Sequence, residues 1–381
     1  MTATPQIMRV PQGDFQLQRR PLRQRETLQA WDAADEYLLR EVSERELLLN
    51  AGRVLIINDS FGALSVALSH CSPQAWGDSW LGQQALRANL AANDVDATAV
   101  TCVDSVAIPQ GPVDLVLIKV PKTLALLEDQ LIRLRPLLTS STQILVAGMQ
   151  KALPRSVWPM LERLLGPLDT ALAWKKAKLI RVKPNLSLPL PSNPYPSTYQ
   201  LEGTDWLITN HANVFSRDGL DIGTRFFLQH LPQMAQAQDV VDLGCGNGLL
   251  GLHAAVLNSG ATIHFVDESF MAVASARTNV EGVLHDSDSA RFHVADGLEG
   301  FESGSVDLVL CNPPFHQQQA VGDHIAQCMF RQANKVLRSG GELWIVGNRH
   351  LGYHLALKKL FGNATLIASN AKFVILRAVR T

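Results

Sequence analysis

Cysteine is scarce. There are five in 381 residues, an odd number with no Cys-x-x-Cys pair, which argues against a disulfide framework and against a structural zinc site; no metal is expected. Long apolar runs are also missing, and none reaches the roughly 20 residues that a bilayer-spanning helix needs. The first thirty residues carry Arg19, Arg20, Arg23 and Arg25 but no apolar core followed by a cleavage site, so no secretory signal is read there and a cytoplasmic location is expected. Neither sign of charge is in excess: the formal net charge is −1, which at first sight speaks against a polyanionic partner. What is present is ordinary, 46% hydrophobic and 18% charged residues. That is the composition of a water-soluble globular chain, and its length exceeds what one core usually serves, so about two domains are expected.

Chemistry shows first near the C-terminal end, in Cys311-Asn312-Pro313-Pro314-Phe315-His316. The run Val306-Asp307-Leu308-Val309-Leu310 directly before it has the character of a buried parallel strand. It delivers Asn312 to the strand's carboxyl end, where open α/β sheets hold ligands. Two consecutive prolines have no N–H to donate and keep the chain extended. The amide oxygen of Asn312 and the rigid carbonyl of Pro313 then converge on one point, suited to accept both hydrogens of a planar NH2 group, while Phe315 offers a face for stacking. Taken alone, the motif also reads as a Pro-rich turn with Asn as its turn former.

A second stretch favours the ligand reading. Asp242-Leu243-Gly244-Cys245-Gly246-Asn247-Gly248 follows Val240-Val241 and precedes a helical pattern from Leu249 to Leu257. A strand, a loop with glycines at alternate positions and a helix start form a nucleotide-type crevice, because positions without side chains let a ligand approach the backbone. The spacing differs from the phosphate-binding Gly-x-Gly-x-x-Gly, and Asp242 would repel a pyrophosphate while favouring an ammonium or sulfonium. Asp267, followed by Glu268, closes the next predicted strand, Thr262 to Val266, placed to accept hydrogen bonds from a ribose diol. Asp296, followed by Gly297, ends another strand and is placed to receive an adenine amine. Together these residues describe a pocket for a positively charged nucleoside. Cys245 and Cys311 read as small packing residues beside it rather than as nucleophiles.

Residues 240–316, with Asp-Leu-Gly-Cys-Gly-Asn-Gly, Asp267, Asp296 and Asn-Pro-Pro-Phe, resemble the Rossmann-like S-adenosylmethionine-dependent methyltransferases that modify amino groups. More narrowly, Phe215-Ser216-Arg217-Asp218-Gly219-Leu220-Asp221-Ile222-Gly223-Thr224, Asn312-Pro313-Pro314-Phe315-His316 and the two-domain length resemble the bacterial ribosomal RNA guanine-N2 methyltransferases, the large-subunit group above all. Trp31-Asp32-Ala33-Ala34-Asp35-Glu36-Tyr37 and Leu201-Glu202-Gly203-Thr204-Asp205-Trp206 support the likeness, which runs over most of the chain. The resemblance implies S-adenosylmethionine as cofactor and S-adenosylhomocysteine as product. The residues it implies at the cofactor are Asp242, Gly244, Cys245, Gly246, Asn247, Gly248, Asp267, Glu268, Asp296, Gly297 and Asn312. Phe215, Gly219, Asp221 and Gly223 join them, on a segment folded over the methionine end. Asn312, Pro313, Pro314 and Phe315 are the implied catalytic set.

The Pro-rich stretch from Pro184 to Ser197 favours an extended connection and marks a boundary, giving domains at 1–183 and 198–381 with a linker at 184–197. The first domain carries 21 Lys and Arg against 18 Asp and Glu, net +3, and residues 184–381 carry 13 against 17, net −4. An internal repeat crosses the boundary. Val54 to Leu64 aligns with Val240 to Leu250, Asp78 with Asp267, Arg87-Ala88-Asn89-Leu90 with Arg277-Thr278-Asn279-Val280, and Val113 to Lys122 with Val306 to Phe315. The expected fold is therefore α/β, two tandem Rossmann-like methyltransferase domains from a duplication, the N-terminal copy degenerate. In that copy Asn58 and Ser60 replace two of the glycines, and Lys119-Val120-Pro121-Lys122 replaces Asn-Pro-Pro-Phe. Lys119, Lys122, Lys175, Lys176 and Lys178 suit phosphates, so the first domain is expected to grip RNA; the alternative is an ordinary solvated face.

The resemblance implies direct methyl transfer to guanine N2 in large-subunit ribosomal RNA, by an enzyme whose target base must be unstacked or flipped to reach the pocket and which is expected to be a monomer. The same Asn-Pro-Pro-aromatic also serves small-subunit RNA, adenine N6 and a protein glutamine amide, since each presents a planar NH2. A non-catalytic RNA-binding assembly factor is the reading from another class, and the retained Gly244, Gly246, Gly248 and Asn312 speak against it.

Overall fold

The computed structural model describes residues 6–22, 26–234, 236–284, 288–314 and 320–381, the side chains of 320–323 excepted. The chain divides into two compact units, Met1–Tyr195 and Pro196–Thr381.

In unit 1 a hairpin of β1 (Gln6–Val10) and β2 (Gly13–Leu17) precedes α1 (Ala33–Glu44), β3 (Val54–Ile57), α2 (Ala63–Ala67), β4 (Gln74–Gly77), α3 (Trp80–Ala92), β5 (Thr101–Asp104), β6 (Val113–Lys119), α4 (Leu124–Leu134), β7 (Leu138–Met149), α5 (Val157–Leu164), β8 (Leu168–Thr170) and β9 (Ala177–Val182). The seven strands after the hairpin form one sheet in the order β5-β4-β3-β6-β7-β9-β8. β3 to β7 run parallel, and β9 pairs antiparallel with both β7 and β8.

Unit 2 repeats this plan. The hairpin is β10 (Ser197–Gln200) and β11 (Leu207–Asn210), followed by α6 (Ile222–Leu228), β12 (Asp239–Leu243), α7 (Leu249–Leu257), β13 (Thr262–Asp267), α8 (Phe270–Val283), β14 (Ala290–Val294), β15 (Val306–Cys311), α9 (Ala320–Val336), β16 (Leu337–Asn348), α10 (Tyr353–Phe361), β17 (Thr365–Ser369) and β18 (Phe373–Val379). The order β14-β13-β12-β15-β16-β18-β17 is that of unit 1 strand for strand. Even an irregularity recurs: the register shifts between Val113 and Leu115 where β6 meets β7, and between Val306 and Leu308 where β15 meets β16. β16 runs through Arg338 to Gly341, and the shifted register is how the strand absorbs the extra residues.

Alternation along the central strands explains the layering. In β15, Val306, Val309 and Cys311 pack with Phe330, Ala333 and Val336 of α9 and with Tyr353 and Leu357 of α10. Leu308 and Leu310 face the other way, into Phe227 of α6, Leu250 and Leu252 of α7, and Ala276 and Val280 of α8. Helices cover both faces, which is why these strands read as apolar runs.

One polar device holds each hairpin to its sheet. Asn279 on α8 is 1% exposed; its side-chain oxygen accepts from the Thr209 N–H at 2.7 Å, and its NH2 donates to the carbonyls of Thr209 and Asn247 at 3.0 and 2.9 Å. In unit 1 Asn89 on α3 does the same, accepting from Gln18 N–H at 2.9 Å and donating to the carbonyls of Gln18 and Phe61 at 3.0 and 2.8 Å. Each amide joins a helix, the loop after the first sheet strand and the end of the hairpin region. The Pro-rich stretch is also tied down, along unit 1. Asn185 N–H donates to Leu165, Arg135 donates to the carbonyl of Leu188, and the Asn193 amide and Tyr195 hydroxyl reach Asp129 and Glu128.

Removing such a clamp leaves a buried N–H and two carbonyls without partners, at a cost of about 1–3 kcal/mol for each unsatisfied group. Asn279→Ala is expected to destabilise unit 2 and speed hydrogen exchange at the Thr209 amide with little change at Gln18, and Asn89→Ala to do the reverse. Exchange followed by mass spectrometry checks this; equal effects of both variants at both amides would contradict it.

Candidate functional site

β15 ends in buried Cys311 and presents half-buried Asn312, buried Pro313 and exposed Pro314 at the carboxyl edge of the sheet. Phe315 and His316 lie outside the described residues. The Asn312 amide is held from one side: its NH2 donates to Thr224 Oγ1 at 2.9 Å and reaches Asp221 Oδ2 at 3.4 Å. Its oxygen is buried and has no hydrogen-bond partner among the described residues. Asp221 is the N-cap of α6, and the same Oδ2 accepts the Thr224 N–H at 2.8 Å, as capping residues do. A side chain at Gly223 would crowd that carboxylate oxygen, with a Cβ 3.0 Å from it and 3.3 Å from the Phe373 ring.

Asp221 and Gly223, assigned from the sequence to the cofactor, are thus brought to Asn312. The same segment carries Phe215, 67% exposed, and a tight turn in which the Ser216 hydroxyl donates to the Gly219 carbonyl at 2.8 Å. Val214, Ser216, Arg217, Asp218, Gly219 and Leu220 line an open depression of about 410 Å3.

The glycine loop follows β12. Gly244, Gly246 and Gly248 all adopt positive φ, 72°, 53° and 81°, a region costly for residues with a Cβ, but they face different surroundings. A Cβ on Gly246 would meet nothing within 4 Å, whereas one on Gly248 would meet Ala276 Cβ at 2.8 Å. Gly246 keeps the crevice open; Gly248 lets α7 start against α8. The loop is pinned to the neighbouring strand. The Gly246 N–H donates to Asp267 Oδ2 at 3.0 Å, and Ser269 N–H to Asp267 Oδ1 at 3.0 Å, so this carboxylate at the end of β13 fixes both the loop and the start of α8. Half-buried Glu268 is next to it. Asp296 and Gly297 follow β14, and Gln332 on α9 holds their turn, donating to the Asp296 carbonyl at 3.1 Å and accepting from Leu298 N–H at 3.3 Å. Asn247 turns from the crevice to the hairpin, donating to Asn210 at 2.9 Å.

Asp242 is 1% exposed, not at an open crevice wall. One oxygen accepts the Gly251 N–H at 2.8 Å and the other has no partner among the described residues. Burial, reinforced by the negative Asp267, pushes its carboxyl up to about 8 against the pull of that single N–H. The anionic neighbour expected from the sequence is therefore held as an acid near neutral pH. Burial also pushes the Cys245 and Cys311 thiols upward, away from nucleophilic chemistry.

The equivalent place in unit 1 is filled. Asn58, where unit 2 has Gly244, exchanges hydrogen bonds with Gln130 at 2.8 and 2.9 Å. Asp78, the counterpart of Asp267, accepts the Ser105 hydroxyl at 2.5 Å. Asp59 takes over the task of Asp242, accepting from the N–H and hydroxyl of Ser65 at 2.8 Å each. Most tellingly, Lys119 stands where unit 2 has Asn312, and its ammonium lies between Asp32 at 2.8 Å and Asp35 at 2.7 Å with the side chain 12% exposed.

Lys119 must therefore be struck from the phosphate-binding set: two carboxylates neutralise it in the interior. Of the others, Lys175 pairs with Glu36 at 2.7 Å while remaining largely exposed, Lys178 lies over the Trp158 ring, and Lys122 and Lys176 are exposed.

Asp32 and Asp35 are the N-cap and third residue of α1, as Asp221 and Thr224 are of α6. Sequence reasoning missed Thr224, Gly251, Asn279 and Gln332. The signal for Thr224 was available: Asp32-Ala33-Ala34-Asp35 aligns with Asp221-Ile222-Gly223-Thr224 once the repeat is extended to the segment before the sheet.

Residues 5–186 match the family described as the RLMG N-terminal domain, and residues 205–377 the methyltransferase small domain. The "Ribosomal RNA large subunit methyltransferase G" of Pseudomonas aeruginosa (strain UCBPP-PA14) is 52% identical over 373 residues, covering 98% of this chain and 99% of its own. The protein of that name from Aeromonas salmonicida (strain A449) is 51% identical over 366 residues, 96% of each. Among solved structures, a T. thermophilus 16S rRNA N2 methyltransferase (RsmC), in complex with AdoMet and guanosine, is similar at a TM-score of 0.78 and 21% identity, over 99% of this chain and 98% of that one. That likeness carries the fold: two seven-stranded mixed α/β sheets, as read from the duplication.

Two measurements test this geometry. Removing one partner of a buried ion pair strands the others at about 3–5 kcal/mol, so Lys119→Ala is expected to destabilise unit 1 by about that much in urea unfolding; a loss under about 1 kcal/mol would mean the triad is solvated. For Asp242 the folded state holds the proton more tightly than the unfolded chain. Its stabilising contribution is complete below the ordinary carboxylate range and is lost as pH rises from about 4 to about 8. Asp242→Asn is expected to flatten that decline in the thermal midpoint of the cofactor-free protein; an unchanged slope would assign the decline to other groups.

Proposed function

Since the chain belongs to the ribosomal RNA large subunit methyltransferase G family, we propose that it transfers a methyl group from S-adenosylmethionine to the exocyclic N2 amine of a specific guanine in large-subunit ribosomal RNA. The observation that carries the site assignment is Asn312, whose amide hydrogens are engaged by Thr224 and Asp221 while its buried oxygen has no partner among the described residues.

The residues present fit the cofactor. Gly246 opens onto space that a Cβ would not fill, Asp267 stands at the end of β13, and Asp296 with Gly297 forms a half-buried turn after β14. Gly244, Gly246, Asp267, Asp296 and Gly297 would hold it, with the carboxyl of Asp242 beneath the loop. Bound S-adenosylmethionine supplies an electrophilic methyl carbon whose bond to sulfur breaks with the electron pair, leaving S-adenosylhomocysteine.

The protein's part is to prepare the amine. A guanine N2 lone pair is delocalised into the ring and is a poor nucleophile. Asn312 Oδ1 and the Pro313 carbonyl accept its two hydrogens, hold the nitrogen in line and draw electron density onto it. Asn312 Oδ1 is covered in this structure, so the incoming amine reaches it only as that cover opens. The proton displaced from nitrogen leaves to water, and no general base is required.

Unit 1 holds RNA in this proposal, through Lys122, Lys175, Lys176 and Lys178. Lys175 and Lys176 form a two-residue turn between Trp174 and Ala177, both at positive φ, 44° and 65°, and both are exposed. The surface pair of Lys175 with Glu36 is worth at most about 1 kcal/mol and yields readily to a phosphate. The enzyme is taken to act as a monomer in the cytoplasm; among the described residues no helix is long and apolar enough to cross a membrane.

Asn312→Ala is expected to abolish transfer of labelled methyl to large-subunit ribosomal RNA lacking its native methylations, with S-adenosylmethionine affinity nearly unchanged, and nucleoside analysis of the wild-type product is expected to give N2-methylguanosine. Label on adenine, or label only in small-subunit RNA, would overturn the substrate; parallel loss of cofactor binding in the variant would reassign Asn312 to structure.

A further inference from the structure

An amide side chain has two ends of nearly equal shape and opposite hydrogen-bonding character, and its neighbours decide which end faces where. This matters at position 312. With the oxygen toward the amine, Asn312 accepts a hydrogen and activates the nitrogen; turned over, it would point its own N–H groups at the N–H groups it has to receive.

Two groups hold the amide in this structure, and one of them discriminates between its ends. Thr224 Oγ1 lies 2.9 Å from Asn312 Nδ2, and Asp221 Oδ2 lies 3.4 Å from it. A carboxylate cannot donate, so the end of the amide facing Asp221 is the NH2. The shorter contact is the one to Thr224, and the Asp221 oxygen is already shared with the Thr224 N–H at 2.8 Å.

Unit 1 provides an independent view of the same socket. The corresponding first-turn residues of α1, Asp32 and Asp35, grip the side chain at the corresponding strand end, and that side chain is a lysine, at 2.8 and 2.7 Å. Two carboxylates make a socket for an ammonium. Replacing the second by a neutral hydroxyl, as at Thr224, makes it a socket for an amide, because a neutral NH2 would leave a second buried carboxylate uncompensated. The residue at the third helix position therefore changes in step with the residue it holds.

We infer that Thr224, with Asp221, is a positioning residue that fixes the Asn312 amide with its oxygen toward the reacting amine. This rests on the reading of Asn312 as the acceptor for that amine. Thr224 touches no reacting atom; it acts through Asn312, and its hydroxyl rather than its methyl group carries the effect.

The test uses the full-length protein with unmethylated large-subunit ribosomal RNA and labelled S-adenosylmethionine, comparing Thr224→Val, Thr224→Ser and Asn312→Ala. A misoriented group at a reacting centre costs on the order of a hundredfold in rate. Thr224→Val is expected to lower kcat by roughly ten- to a hundredfold, with the Kd for S-adenosylmethionine by calorimetry and the melting temperature close to wild type. Thr224→Ser restores kcat, as expected if the hydroxyl and not the methyl group carries the effect.

The inference is overturned if Thr224→Val keeps wild-type kcat while Asn312→Ala is inactive. It is also overturned if Thr224→Ser is as impaired as Thr224→Val, or if kcat and cofactor affinity fall together. An active Asn312→Ala removes the reading of Asn312 itself, and the role of Thr224 with it.

Discussion

Parallel strands covered by helices on both faces leave room for solvent-reaching polar side chains only near their ends, and much of this structure follows from that constraint. Apart from half-buried Asp239 and Asp307 near their starts, β12 and β15 are buried between α9 and α10 on one side and α6, α7 and α8 on the other. A side chain that must meet a ligand is confined to the last residue of a strand or the first ones after it. Asn312, Asp267 and Asp296, with Gly244 to Gly248, all stand at such ends. The hairpin and helix that come before each sheet then serve as the lid of this edge. In unit 2 the start of α6 holds Asn312, and β11 is clamped by Asn279 beside the glycine loop.

The two units apply one scaffold to opposite ends. In unit 2 some groups toward the strand ends are left unsatisfied: Asn312 Oδ1 and Asp242 Oδ1 are buried without partners among the described residues, a costly state for polar atoms. In unit 1 the same positions are closed upon themselves, Asn58 by Gln130, Asp78 by Ser105, and Lys119 by Asp32 and Asp35. The clamps made by Asn89 and Asn279 are nevertheless the same in both. The scaffold interactions persisted while the ligand-facing ones were replaced by side chains that satisfy one another.

Much of this was legible in the sequence because it is local. The apolar run ending in Asn312, the alternating glycines after Asp242 and the helix from Leu249 to Leu257 each declare themselves within a dozen residues, and the repeat multiplies that signal by two. What escaped depends on contacts between distant segments. Thr224 and Asn312 are 88 residues apart, and nothing in the periodicity near either one points to the other. Lys119 was misread because a count of charges does not see burial: the carboxylates that neutralise it are 87 and 84 residues earlier, in a stretch that reads as a helix start. Asp242 was misjudged for a related reason, since an acid at the end of a strand looks like a charge until burial raises its pKa.

The fate of the lysine explains why decay of a binding site need not weaken a fold. A site emptied of its ligand retains buried polar atoms that were satisfied only in the complex, and each costs about 1–3 kcal/mol when left alone. Small apolar substitutions would leave cavities in their place. Filling the strand end with a long side chain whose charged tip reaches an existing helix cap removes both costs together, provided that a second acid is added to balance the charge. Asp35 is that acid. The helix start that contacts an amide in unit 2 carries a second acid in place of Thr224 in unit 1 and anchors a lysine there, so that this strand end is satisfied by the chain itself.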